Sequence, residues 1–220
     1  MAEKIDIYDA NLQPLGAMER GEAHRTGQWH QTFHCWIVAP RTQSQPSGAL
    51  LFQGRSNMAT SYPGMLDVSA AGHLRSGESV LDGLREVREE LGINLLPDEI
   101  RSLGRRVEVA DQTNGQRNRE YQSVFLTQLD LPLEDYRPDP GEVASLYWLG
   151  IDDGLELFGS TSSMSVQLIG YSFENPKHQW LPSIRTVTVE AFLPRIQQYY
   201  LTTLIMSERL LDGKRYLAIS

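Results

Sequence analysis

The run from Ser79 to Leu91 constrains this chain more than any other stretch of it. If successive residues step ~100° around a helix axis, Val80, Leu81, Leu84, Val87 and Leu91 fall within about a third of the circumference. Ser79 and Asp82 have the spacing of a capping box, with Asp in place of the commoner Glu, and Gly92 supplies a stop. The spacing therefore predicts an amphipathic helix whose apolar stripe faces a core. Its other side carries Glu86, Glu89 and Glu90, with Asp82 nearby and Arg85 and Arg88 on the flanks. Carboxylates at i, i+3 and i+4 repel one another by ~0.2–0.5 kcal/mol per neighbouring pair on an exposed helix. Spacing alone leaves two readings open. One is a solvated acidic face answered by its arginines, and the other is a site for a hard cation such as Mg²⁺.

The flanking residues favour the second. Arg85-Glu86-Val87-Arg88-Glu89-Glu90-Leu91-Gly92-Ile93 reads Arg-Glu-apolar-any-Glu-Glu-any-Gly-apolar, and Gly72 is followed after five residues by Glu78. These residues resemble the signature of the Nudix hydrolases, except that six residues instead of seven separate Glu78 from Arg85. The resemblance implies that Glu86, Glu89 and Glu90 coordinate Mg²⁺, or Mn²⁺ in its place, and that the Gly72 backbone adds an oxygen ligand. It implies that Arg85 orients the carboxylates and that Glu86 helps to activate water. The shortened spacer leaves the part of Glu78 open. The implied fold is an α/β/α sandwich around a mixed sheet, and the implied chemistry is metal-assisted cleavage of a diphosphate linkage.

The remaining elements agree with an α/β (α+β) class. Ile5 to Tyr8 and the residues around Leu15 read as a small hairpin, and Gly21 to Trp29 as irregular chain. Thr32 to Val38 is aromatic and β-branched, Ala49 to Gln53 is the returning strand, and the two are expected to pair antiparallel. Leu66 to Ala71, Val107 to Val109, Tyr121 to Leu126 and Leu146 to Leu149 are further strands, with a turn at Asn114-Gly115. Ser160 to Ser165 reads as a linker, and Val187 to Leu211 as mostly helical, with a kink or restart at Pro194. The expected division is a catalytic domain over residues 1–160 and a C-terminal helical extension over 161–220 packed on it.

Outside the motif, roughly residues 4–150 are similar to the isopentenyl diphosphate isomerase branch of the same superfamily. The likeness rests on Glu22-Ala23-His24, Trp29-His30, Trp36, Arg55-Ser56 and Tyr62-Pro63-Gly64. In that branch histidines and glutamates bind a metal, and the resemblance sets His24, His30, His73 and Glu120 at comparable places, with Asn118 where a second glutamate is expected. The isomerase also needs a cysteine acid before its Gly-His pair, and this chain has Ala71-Gly72-His73. Protonating an alkene carbon demands a positioned acid that alanine cannot supply, and the helix motif is intact, so hydrolysis is the expected reaction. Isomerisation and non-catalytic diphosphate binding are the alternatives. Arg55 is expected at a substrate phosphate and Glu142, in the loop before the Trp148-Leu149 strand, as an added ligand or base. Each has a plain counterpart reading, as a surface arginine and a solvated loop acid.

Bulk properties narrow the partners. A net charge of −8 over 220 residues argues against non-specific binding of nucleic-acid polymers and against a polybasic membrane contact. It does not oppose a phosphorylated small molecule, because a bound cation reverses the local field. The single cysteine, Cys35, permits no intrachain disulfide, and the charged start of the chain lacks the apolar run of a signal peptide, so a cytoplasmic location is the expectation. The partner expected is a small diphosphate, with substrate specificity in Asp111 to Arg119 and the tail, and with room for a homodimer through an apolar tail helix.

Overall fold

In a computed structural model, which describes residues 2–112, 114–161, 163–175 and 177–219, the chain builds one mixed sheet. Thr113 in the expected specificity loop and Ser162 in the expected linker lie outside the described residues. The hairpin of β1 (Lys4–Tyr8) and β2 (Pro14–Glu19) is present as expected. A short helix follows, α1 (Arg20–Thr26), where irregular chain was expected. The Glu19 carboxylate caps the Gly21 and Glu22 amides at 3.1 and 3.2 Å, and Gly27 ends the helix at φ 70°. With so few residues the helix shows no apolar period, which is why the sequence hides it.

The centre of the sheet is β3 (Trp29–Ala39), whose even- and odd-numbered residues face opposite layers. Trp36 and Val38 join a core with Phe52, Val124 and Leu149, whereas Phe33, Cys35 and Ile37 join another with Leu51, Val87 and Leu91. β4 (Ala49–Arg55) pairs with β3 antiparallel, as expected, but only at Val38↔Leu50 and Ala39↔Ala49. Beyond that point the two strands splay. β3 takes β6 (Ala70–His73) antiparallel and β8 (Arg117–Gln128) parallel, while β4 takes β5 (Leu66–Asp67) and β9 (Val143–Gly150). β7 (Arg101–Asp111) pairs antiparallel with β8.

On one face lies α2 (Leu84–Leu91), entered through a 3-10 turn, Val80–Gly83. The tighter turn has 3.0 residues per revolution, so Leu81 rotates away from the expected buried face and is 44% exposed. Gly92 closes α2 at φ 71°, and the Arg137 carbonyl packs where a Cβ on it would project. The opposite face is covered by α3 (Ile151–Gly159) and α4 (Tyr199–Leu211). The expected α/β/α layering is therefore present.

The C-terminal segment is helical only from Tyr199, not from Val187. Ahead of it β10 (Val166–Ser172) and β11 (Leu181–Val187) form a hairpin that continues the sheet from β9. Val166, Leu168, Gly170 and Ser172 are buried while Gln167 and Ile169 are exposed, a period of two that specifies a strand. Pro182 is tolerated because β11 is the outer strand. No helix breaks at Pro194; Phe192 bridges to Leu66, Leu193 N–H donates to the Leu66 carbonyl at 2.8 Å, and the chain then bends over 196–198, with Gln197 at φ 63°, into α4.

Candidate active site

α2 does not present its acids to open solvent. Glu86 and Glu90 are 8% and 7% exposed, packed against β6, and of the three only Glu89 is exposed. The Glu86 carboxylate lies directly on the Gly72 backbone, where a Cβ would overlap it. Glu90 Oε2 accepts from Ala71 N–H at 2.9 Å and from Gln53 Nε2 at 3.3 Å. Burial pushes the Glu86 carboxyl above its usual range despite Arg85 beside it, and pushes Glu90 well above it, with Glu86 and Glu142 adding repulsion. Glu142 is likewise raised, by burial first and then by Asp139 and Glu89. Two buried carboxylates, a third at the rim and Glu142 close by form an anionic pocket of oxygen donors that outnumber the one guanidinium, Arg85, set among them. That donor set fits a hard divalent cation.

Arg85 is the organiser. Its Nη1 donates to Glu86 Oε1 at 2.5 Å and to Glu89 Oε2 at 3.0 Å, and its Nη2 donates to the His73 carbonyl at 2.7 Å. Its Nε and Nη2 hold Glu78 at 2.8 and 3.1 Å, so Glu78 meets Arg85 despite the shortened spacer. The 3-10 turn Val80–Gly83 lies within this spacer. Burial raises the Glu78 carboxyl, but the hydrogen bonds from Arg85 and the Arg75 amide outweigh it and hold it below its usual range. Arg55 is partly buried, with Nε on the Ser61 carbonyl at 3.1 Å and Nη1 3.8 Å from Asp67.

Glu120 does not join the α2 carboxylates. It sits on the other face of β8, its Oε1 4.0 Å from His30 Nε2 and its Oε2 bound by Gln122 at 2.6 Å. There His24, His30 and His73 bring one ring nitrogen each within 4.8 Å of one another. His24 Nε2 and His73 Nε2 are 2.9 Å apart, and Asn118 Oδ1 holds His24 Nδ1 at 3.1 Å. His30 Nε2 is buried without a hydrogen-bond partner among the described residues. Burial lowers all three imidazoles, His24 to about 4 and His73 well below the usual range. Neutral imidazoles converging on one another, one with an orphaned nitrogen, are a donor set that fits a borderline transition metal.

Beside this cluster is a buried polar network with no signal in the sequence. Arg106 binds Glu108 at 2.8 Å and also Gln122, and Arg195, from the segment before α4, binds Asp67 at 2.5 Å. Tyr199 OH bridges His34 Nδ1 and Trp36 Nε1, both at 2.9 Å. Cys35 is fully buried on β3, in the core on the α2 side with Val87 and Leu91, and burial pushes its thiol up to about 12.

A layered sheet whose helix clamps a carboxylate cluster against a glycine strand defines a class of diphosphate-cleaving folds. The chain belongs to the NUDIX domain family, whose model matches residues 29–163. It is 36% identical over 153 residues to a Nudix hydrolase of Clostridium acetobutylicum, covering 69% of this chain and 71% of that one. It is also 28% identical over 165 residues to an isopentenyl-diphosphate Delta-isomerase of Cutibacterium acnes, covering 73% and 80%. A crystal structure of a Deinococcus radiodurans protein superposes with a TM-score of 0.54 at 21% identity, over 73% of this chain and 91% of that one. The protein is a hydrolase acting on diphosphate bonds. Among the described residues no helix is long and apolar enough to cross a membrane.

Proposed function

We propose that the protein hydrolyses a diphosphate linkage in a nucleoside diphosphate derivative or another organic diphosphate, with Mg²⁺ or Mn²⁺ held by Glu86, Glu89, Glu90 and the Gly72 backbone. The observation that carries this reading is the burial of Glu86 and Glu90 against Gly72 and Ala71. A cation bound there neutralises diphosphate oxygens and lowers the pKa of the attacking water. Arg85 fixes the Glu86 and Glu89 carboxylates in place. Glu86, held above its usual range by burial, is the carboxylate placed to take a proton from the attacking water. Glu142 closes the site from the loop before β9, and Arg55 meets a substrate phosphate by turning from Asp67. His24, His30, His73 and Glu120 hold a second metal on the far side of β6.

Release of phosphate or monophosphate products from a panel of nucleoside and isoprenoid diphosphates tests this. Glu89→Gln and Glu90→Gln each lower turnover at least ~100-fold, in the range that removal of a transition-state contact costs, while the unfolding midpoint stays near wild type. Full turnover in both variants, or in excess chelator, rejects the mechanism. The assembled imidazoles favour one second reading, isomerisation of isopentenyl diphosphate. Ala71 and the buried Cys35 leave that reaction without its acid, and allylic product from the wild-type protein would reverse the choice.

A further inference from the structure

Gln53 lies on β4 beside the carboxylate pair and belongs to no part of the motif that marks the site. Its backbone is held on both sides, paired with Leu146 of β9 and Asp67 of β5. Its side chain is 3% exposed, and its Nε2 donates to Glu90 Oε2, the same oxygen that the Ala71 amide binds. The other end of the amide, Oε1, is buried with no hydrogen-bond partner among the described residues. A Glu90 carboxylate that holds a cation is ionised and only accepts, so the amide nitrogen faces it and the carbonyl oxygen faces away. An orphaned buried oxygen costs free energy that Met or Leu of similar volume would avoid. A side chain kept only for packing would not be glutamine.

We propose that Gln53 is a positioning residue for the hydrolysis, acting at both ends of its amide. Its nitrogen and the Ala71 amide together pin Glu90 Oε2, so that the other carboxylate oxygen is the one turned to a divalent cation. Its own Oε1, buried beside the pair, accepts a hydrogen bond from a bound water. The inference rests on the reading of Glu90 as a metal ligand. It adds a residue whose loss weakens metal binding without unfolding the chain.

The test compares wild-type protein with Gln53→Met, which removes both polar ends at nearly constant volume. Mn²⁺ affinity by titration calorimetry, kcat and KM on the best diphosphate of the panel, and the denaturant midpoint are read together. Gln53→Met is expected to unfold at or above the wild-type midpoint, to bind Mn²⁺ ~10-fold more weakly and to lose ~10–100-fold in kcat with KM little changed. Gln53→Glu, which keeps the acceptor and replaces the donor by a second carboxylate, serves if the Met variant fails to fold. It is expected to lose kcat and to bind Mn²⁺ more weakly than wild type, because it removes the hydrogen bond that holds Glu90 Oε2. Wild-type Mn²⁺ affinity and kcat in Gln53→Met, or in Gln53→Glu where the Met variant fails to fold, or losses that follow the midpoint overturn the inference. Wild-type protein that binds no Mn²⁺ overturns the metal reading itself, which separates the two failures.

Discussion

The Glu86 carboxylate occupies the space that a side chain on Gly72 would need. Strand β6 and helix α2 approach so closely at this point that the acid rests on bare backbone. Gly72→Ala must therefore push Glu86 off the strand. Overpacking of this kind costs about 1–3 kcal/mol, readable as a lower denaturant midpoint. A displacement near 1 Å at a reacting group lowers kcat by ~100-fold, and steady-state kinetics on the folded variant measure it.

Arg85 gathers Glu78, Glu86, Glu89 and the His73 carbonyl around one planar guanidinium. Arg85→Ala leaves the buried Glu86 without its cation, and stability falls by about 3 kcal/mol, the scale for removing one partner of a buried pair. Arg85→Lys recovers little, because a point charge cannot serve four acceptors in a plane. Equilibrium denaturation of the three proteins in chelator, so that bound cation does not contribute, decides between a planar clamp and a simple counter-charge.

The motif made Glu86, Glu89, Glu90 and Arg85 legible because all four lie on one short helix and their spacing is local. The same local logic failed at Leu81 and left Glu78 open, since a 3-10 turn and an α-helix are not distinguished by a six-residue spacer. β10 alternates buried and exposed residues at Val166, Leu168 and Ile169, a short period that the polar residues before it and the helix after Tyr199 mask. Arg195 with Asp67 and Tyr199 with His34 pair residues more than a hundred positions apart. Such contacts are set by which face of the sheet the returning chain crosses, and no window along the sequence contains both partners. Gln53 was hidden differently: its position in a hydrophobic strand is visible, but its partner is on another element.

Tyr199 ties α4 to the sheet through one hydroxyl, which accepts from Trp36 Nε1 and is hydrogen-bonded to His34 Nδ1. The Arg106 guanidinium lies 4.2 Å from its ring centroid. Tyr199→Phe keeps the ring and that cation–π contact but orphans two buried polar atoms. The expected loss is about 2 kcal/mol, since each unsatisfied group costs roughly 1–3 kcal/mol. Urea denaturation checks it, and an unchanged midpoint would mean that water replaces the hydroxyl.

His34 gives the fold a dependence on acid. It is 3% exposed, and burial, followed by the charges of Arg195 and Arg106, holds its imidazole well below the usual range. An unfolded histidine titrates near 6.5. Because the folded value is depressed, the unfolded chain binds the extra proton first as pH falls below ~6.5, and stability declines from there toward the folded value. One such group contributes a slope of up to about 1.4 kcal/mol per pH unit. His24, His30 and His73 are lowered by burial too and act with the same sign. Denaturant midpoints measured in chelator between pH 7 and 5 should fall steeply for the wild-type protein. His34→Gln, which cannot titrate, should show a shallower fall by about one proton's worth, and equal slopes in the two proteins would place the acid sensitivity elsewhere.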